Sequence, residues 1–175
     1  MQAPVETGTT ERRVVTVGEF VDAVPELTTL LWGYSRCVVL IGEFSDGRYV
    51  QFWGQGDGTL RGEVISNLNI QPLVVLSPYE EQLLRSLGWH VPVAQSSPNW
   101  SFDANDAEGL RALSCMVAET ITGVFTEPRD ALVRVTTFLV TESPRTSRGI
   151  APHEQRRRYF VRALSELEES LSRSV

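Results

Sequence analysis

The sequence predicts an α+β fold, an antiparallel β-sheet with helices packed on one face. Three observations carry that expectation. Apolar, β-branched runs over residues 36–44, 49–53 and 60–66 are joined by short glycine-containing turns that suit hairpins. Threonine- and serine-led capping signals at Thr16 and Ser77 open apolar stripes at helical spacing. A longer stripe over 110–124 suits a helix that covers the sheet.

A chain of 175 residues, 42% hydrophobic, suits one domain with a full core and tails. Residues 1–13 have the polarity of a disordered leader, 14–140 hold the domain, 141–152 read as a linker and 153–175 as a C-terminal helix. Thr16-Val17-Gly18-Glu19 has capping-box spacing, and Phe20, Val24, Leu27 and Leu31 form the stripe of the helix it opens. Pro25 must either kink that helix or begin a second one. The run 36–44 enters an Asp46-Gly47 turn, and Tyr49 to Trp53 return with Val50 and Phe52 on one face and Tyr49, Gln51 and Trp53 on the other.

Gly54-Gln55-Gly56-Asp57-Gly58 raises the question of a phosphate cradle. A dinucleotide fingerprint needs its third glycine two positions later and a helix behind it, and a P-loop ends in Gly-Lys-Ser/Thr, whereas this chain contains no lysine. Residues 60–66 alternate as a strand, so the glycines belong to a hairpin loop. Residues 67–76 contain a short apolar run. Ser77-Pro78-Tyr79-Glu80 then opens a helix striped by Leu83, Leu84 and Leu87, and Gly88 caps it. Residues 90–102 suit a loop or an irregular edge strand. Asn105 with Glu108 marks the next helix, which runs through residue 125, and a short helix is expected over 129–140. The final helix carries Phe160, Leu164, Leu167 and Leu171 on one side; such a stripe must dock on its own domain, a second copy or a partner.

Charge and chemistry narrow the function. A net charge of -6 disfavours nucleic acid, and Arg156-Arg157-Arg158 is largely offset by glutamates on the same helix. No apolar run approaches the roughly 18 residues needed to span a membrane, and the N-terminus lacks a signal-peptide stretch, so a cytoplasmic location is expected. The two cysteines, Cys37 and Cys115, read as buried thiols. His90 and His153 lack partners at ligand spacing, so no metal and no cofactor are expected. No nucleophile elbow occurs, and Glu43, Asp57 and Glu63 read as turn and solvent-face residues, which leaves no catalytic residue to name.

The remaining candidate is a surface. Tyr49, Gln51 and Trp53, with Arg61 and Ile65 on the neighbouring strand, would expose aromatic and aliphatic groups among polar ones if helices cover only the other side. That composition suits an extended polypeptide, whose ladder bonds and alternate side chains give affinity and selectivity. The same side chains would equally be covered if the C-terminal helix lay across them.

The order of parts resembles a known group. A helix, then CVVLIGEF, RYVQFWG and LRGEVISN, then LSPYEEQLLRSLGWHVP, then PNWSF before a long helix, is similar to the YbjN and type III secretion chaperone-like superfamily, in particular the N-terminal type of the bacterial TY-chaperone domain. Glu63, Ser66 and Asn67, Leu87-Gly88-Trp89 with Pro92, and Asn99-Trp100 carry the likeness, which spans roughly residues 28–140. It implies helices against an antiparallel sheet and a non-enzymatic role in binding peptides or partially folded proteins, with secretion as one context. Relatives of the secretion-chaperone type often dimerise, and the stripe Phe160, Leu164, Leu167, Leu171 would be the homodimer seam. Two other functions compete: a small-molecule or nucleotide-binding regulator using Gly54–Gly58, and an enzyme whose site assembles only in space.

Overall fold

The structure is a computed structural model that describes residues 11–33, 38–54, 58–68, 75–93 and 98–139. Its elements are β1 (Glu11–Thr16), α1 (Val17–Gly33), β2 (Val38–Glu43), β3 (Tyr49–Gly54), β4 (Leu60–Val64), α2 (Pro78–Leu87), β5 (Trp100–Ala104), α3 (Ala107–Glu119), a π-helical turn (Thr120–Val124) and β6 (Leu132–Leu139). The strands form one sheet in the order β1-β6-β2-β3-β4-β5, and every neighbouring pair is antiparallel. The expected α+β architecture is present.

Local signals set the helix starts. The Glu19 carboxylate accepts from the Thr16 N–H at 2.6 Å and hydroxyl at 2.8 Å, while the Glu19 N–H donates back to Thr16 Oγ1 at 3.2 Å. Pro25 lies inside one continuous helix, and Thr28 and Thr29 each donate a hydroxyl to its carbonyl. Ser77 and Glu80 make the reciprocal box at α2, and Gly88 closes that helix with a left-handed φ of 106° that a side chain would strain. Trp89 folds back beneath it, its indole N–H donating to the Thr120 hydroxyl at 2.9 Å.

Glycines seat the helices on the sheet. A Cβ on Gly42 of β2 would lie 2.7 Å from the Phe20 ring of α1, and one on Gly62 of β4 would collide with Leu113 of α3. These two positions therefore allow close approach of helix to strand, and the core fills between them with Leu40, Val50, Phe52, Leu60 and Val64 from the sheet. The buried hydroxyls of Thr28 and Ser114, 2.9 Å apart, satisfy each other where α1 crosses α3.

Several expectations are corrected. Residues 129–140 do not form a short helix: Leu132–Leu139 is the strand between β1 and β2, with Val133, Val135 and Thr137 buried and Arg134 exposed. The β-branched content and a place inside the sheet override the helical preference of the segment. The leader expected over 1–13 overlaps β1, which begins at Glu11. The cap of α3 is Asp106, whose carboxylate accepts from the Gly109 N–H at 2.7 Å, because Asn105 is engaged by the Thr59 hydroxyl. Cys115 is exposed on α3, off the buried stripe, and not a core thiol. Residues 1–10, Cys37, the centre of the glycine loop at 55–57, the run 69–74, the linker 141–152 and the C-terminal stripe Phe160, Leu164, Leu167, Leu171 lie outside the described residues.

Candidate binding face

Because α1 and α3 seat on Gly42 and Gly62, the alternate residues of each strand point to the other face. The register arranges them in rows across the strands. One row is Val39, Trp53, Arg61 and Asp103; the next is Arg12, Thr136, Ile41, Gln51, Glu63 and Ser101; a third is Val14, Arg134, Glu43 and Tyr49. Tyr49, Gln51, Trp53 and Arg61 thus share one face, as their spacing requires. Ile65 is the exception. It lies beyond the end of β4, donates its N–H to the Tyr49 carbonyl, and is only 8% exposed, so it offers no open aliphatic surface.

Most polar groups on β3, β4 and β5 of this face bind one another. Arg61 forms two hydrogen bonds with Asp103, both 2.8 Å, and that bonding holds its guanidinium above the ordinary range. Glu63 Oε2 accepts from Gln51 at 3.2 Å and from the Asn99 amide at 3.0 Å, while the Tyr49 hydroxyl donates to Asn99 Oδ1 at 3.2 Å. Arg134 reaches Glu43 at 3.2 Å. Against these satisfied groups Trp53 stands 37% exposed, with Val14 and Leu132 exposed towards the β1 edge. Arg61 and Arg134 already hold carboxylates here, so a partner that covers the ring of Trp53 need not supply them with counter-charges.

The loops around the face are tied down by side chains that imitate backbone. The Asn67 amide accepts from the Leu76 N–H at 2.7 Å and donates to its carbonyl at 2.8 Å, and the Ser66 hydroxyl donates to the Pro98 carbonyl. Arg48 anchors the β2–β3 turn, bonding Asp46 at 2.5 Å, the Phe125 carbonyl at 2.9 Å and Glu127 at 3.2 Å, with its guanidinium 4.5 Å from the Phe125 ring centre. Burial first, and Asp46 second, raise the Glu127 carboxyl above its ordinary range against the opposing pull of Arg48.

Glu63 is therefore no mere solvent-face carboxylate; it anchors the network with Gln51 and Asn99. The alternation of 49, 51, 61 and 63 makes the face legible, whereas Asn99 and Asp103 join it only through the pairing of β4 with β5. The residues that carry the family resemblance fall largely in this scaffold: Glu63, Ser66, Asn67 and Asn99 in polar ties, Trp89 and Trp100 in the core. Among the described residues no cluster of three metal-ligating groups occurs, and no helix is long and apolar enough to cross a membrane.

Among the described residues the antiparallel sheet is backed by α1 and α3 on one side and carries paired polar side chains on the other, an α+β module. The family model of T3SS (YopN, CesT) and YbjN peptide-binding chaperone 3 matches residues 26–139, and the chain belongs to that family. The motifs alone point to the N-terminal type within the same superfamily; the match is to type 3. No curated protein and no solved structure gives a match. The matched stretch starts within α1 and ends with β6, so β1 lies ahead of it.

Proposed function

We propose that the protein is a non-enzymatic, cytoplasmic peptide-binding chaperone or adaptor that holds a polypeptide client on the sheet face opposite α1 and α3, in contact with Tyr49, Gln51, Trp53 and Arg61. The observation that carries this reading is the row in which Trp53 stands open beside an already neutralised Arg61–Asp103 pair. Apolar client residues gain by covering the ring, and the pair fixes its flank without demanding a counter-charge. Membership in a family named for peptide binding supports the same reading.

A peptide array followed by fluorescence anisotropy on the best-binding peptide tests it. Loss of a central aromatic contact of about 2 kcal/mol corresponds to roughly a 30-fold rise in Kd, so Trp53→Ala should weaken binding by that order. The fold should stay intact, because the ring is partly exposed. An unchanged Kd in Trp53→Ala, or no peptide bound at all, would overturn the proposal. At the described end of the glycine loop, Gly58 turns with φ 87° and its carbonyl accepts from the Trp32 indole N–H at 2.7 Å, as in a hairpin loop tied to α1.

A further inference from the structure

We infer that the chain supplies the first occupant of this face itself: residues 153–175 dock across it through Phe160, Leu164, Leu167 and Leu171, and a client must displace them. The inference rests on the reading of the face as a polypeptide site.

The path of the chain is the first argument. β6 ends at Leu139, one residue after Phe138, whose backbone partner is Val39, and Val39 pairs in turn with Trp53. The chain therefore leaves the sheet one residue beyond the row of the exposed indole. The segment 141–152 can span about 40 Å when extended, while six strands are roughly 24 Å across. The tether reaches every row, and docking within one chain proceeds at an effective concentration of the order of millimolar, which a second copy at micromolar concentration does not match.

Chemical match is the second argument. With Arg61 bound to Asp103, Arg134 to Glu43 and Glu63 to Gln51 and Asn99, the face favours an apolar contact surface over a charged one. The sequence outside the described residues offers such a surface at helical spacing. From residue 160 to 171 a helical stripe is about 16 Å long, close to the reach from β6 across β2 and β3 to β4. Competition from the docked segment would reduce apparent client affinity by the fraction of molecules in which the face is open.

The test uses the full chain with p-benzoylphenylalanine in place of Trp53, irradiated at about 1 μM and mapped by mass spectrometry. Crosslinks from position 53 to residues 153–175 in a product of monomer mass are expected. The double change Leu164→Asp, Leu167→Asp, or Phe160→Ala with Leu171→Ala, should abolish them while the far-UV spectrum of the domain persists. Without the photoreactive group, the same variants should bind the best array peptide at least tenfold more tightly than the parent chain. Crosslinked dimers would assign the face to a second copy, and crosslinks confined to residues before 140 or unchanged peptide affinity would equally overturn the inference. Crosslinks to 153–175 in a chain whose variants bind no peptide would uphold the docked segment and sink the client reading alone.

Discussion

The contact between Gly62 and Leu113 decides whether α3 lies where the face requires it. Leu113 is fully buried, and a Cβ at Gly62 would collide with its Cδ1 and stand 3.3 Å from Cδ2 and Cγ. Gly62→Ala forces that side chain or its helix to give, at about 1–3 kcal/mol, less roughly 0.4–1 kcal/mol gained by restricting the unfolded chain. Leu113→Ala leaves a cavity in the core and costs about 2–5 kcal/mol. In the double variant the new methyl enters the space the leucine vacated, so the combined loss should fall short of the sum by roughly 1–3 kcal/mol. For a domain of this size each kcal/mol is about 3–5 °C in Tm. Thermal and urea unfolding of the four chains, followed by far-UV circular dichroism, measures the cycle. Losses that add to within about 0.5 kcal/mol would show that α3 does not seat on β4 through this pair, and the assignment of Arg61 and Glu63 to the side opposite α3 would fall with it.

Four further outcomes follow from the face and the elements around it. Asn99→Ala removes a donor from Glu63 and an acceptor from Tyr49, so it should cost about 1–3 kcal/mol and speed amide hydrogen exchange along β4 and β5; uniform exchange change across the sheet would contradict a local role. Two carboxyls act on pH dependence with opposite sign. The Glu127 carboxyl, raised by burial, contributes stability that is full below about 4.5 and fades as pH rises through its folded value, so Glu127→Gln should gain on the parent across that rise in urea titrations. Glu19, lowered by its bonds to the Thr16 backbone and then side chain, contributes stability present above 4.5 and lost as pH falls through its folded value, so Glu19→Gln should lose acid sensitivity there; a pH-independent difference from the parent in either variant would refute its assignment. Peptide affinity should change less than about threefold between 50 and 300 mM salt, since Arg61 and Arg134 already hold carboxylates; a steep dependence measured by anisotropy would show that these pairs open on binding.

Features set by neighbours in sequence were legible. The boxes at Thr16 and Ser77, the Asp46-Gly47 turn with its positive φ, and the left-handed Gly88 each follow from a few adjacent residues. Features set by distant partners were not. Over 129–140 helical and β-branched preferences compete locally, and the contest is settled by two flanking strands, β1 and β2, more than ninety positions away in sequence. Asn105 and Asp106 are both competent caps, and only the Thr59 hydroxyl, from another strand connection, shows which is free to serve. Asn99 meets Glu63 across the β4–β5 pairing, so the network at the heart of the site needs the fold before it can be seen.

The alternation that separates the two faces also divides their chemistry. On the helix side, position 62 has no side chain because Leu113 must approach the strand; one residue on either side, Arg61 and Glu63 are long, charged and bonded to partners on β3 and β5. A sheet covered on both faces by its own helices would favour apolar residues at these positions too. Long polar side chains that bind across strands hold their charges in pairs on the face opposite α1 and α3, and they leave Trp53 as its partly exposed apolar handle. An occupant that covers that handle while leaving the pairs intact avoids the cost of separating these ion pairs, and this favours a greasy, extended or helical segment over a charged ligand.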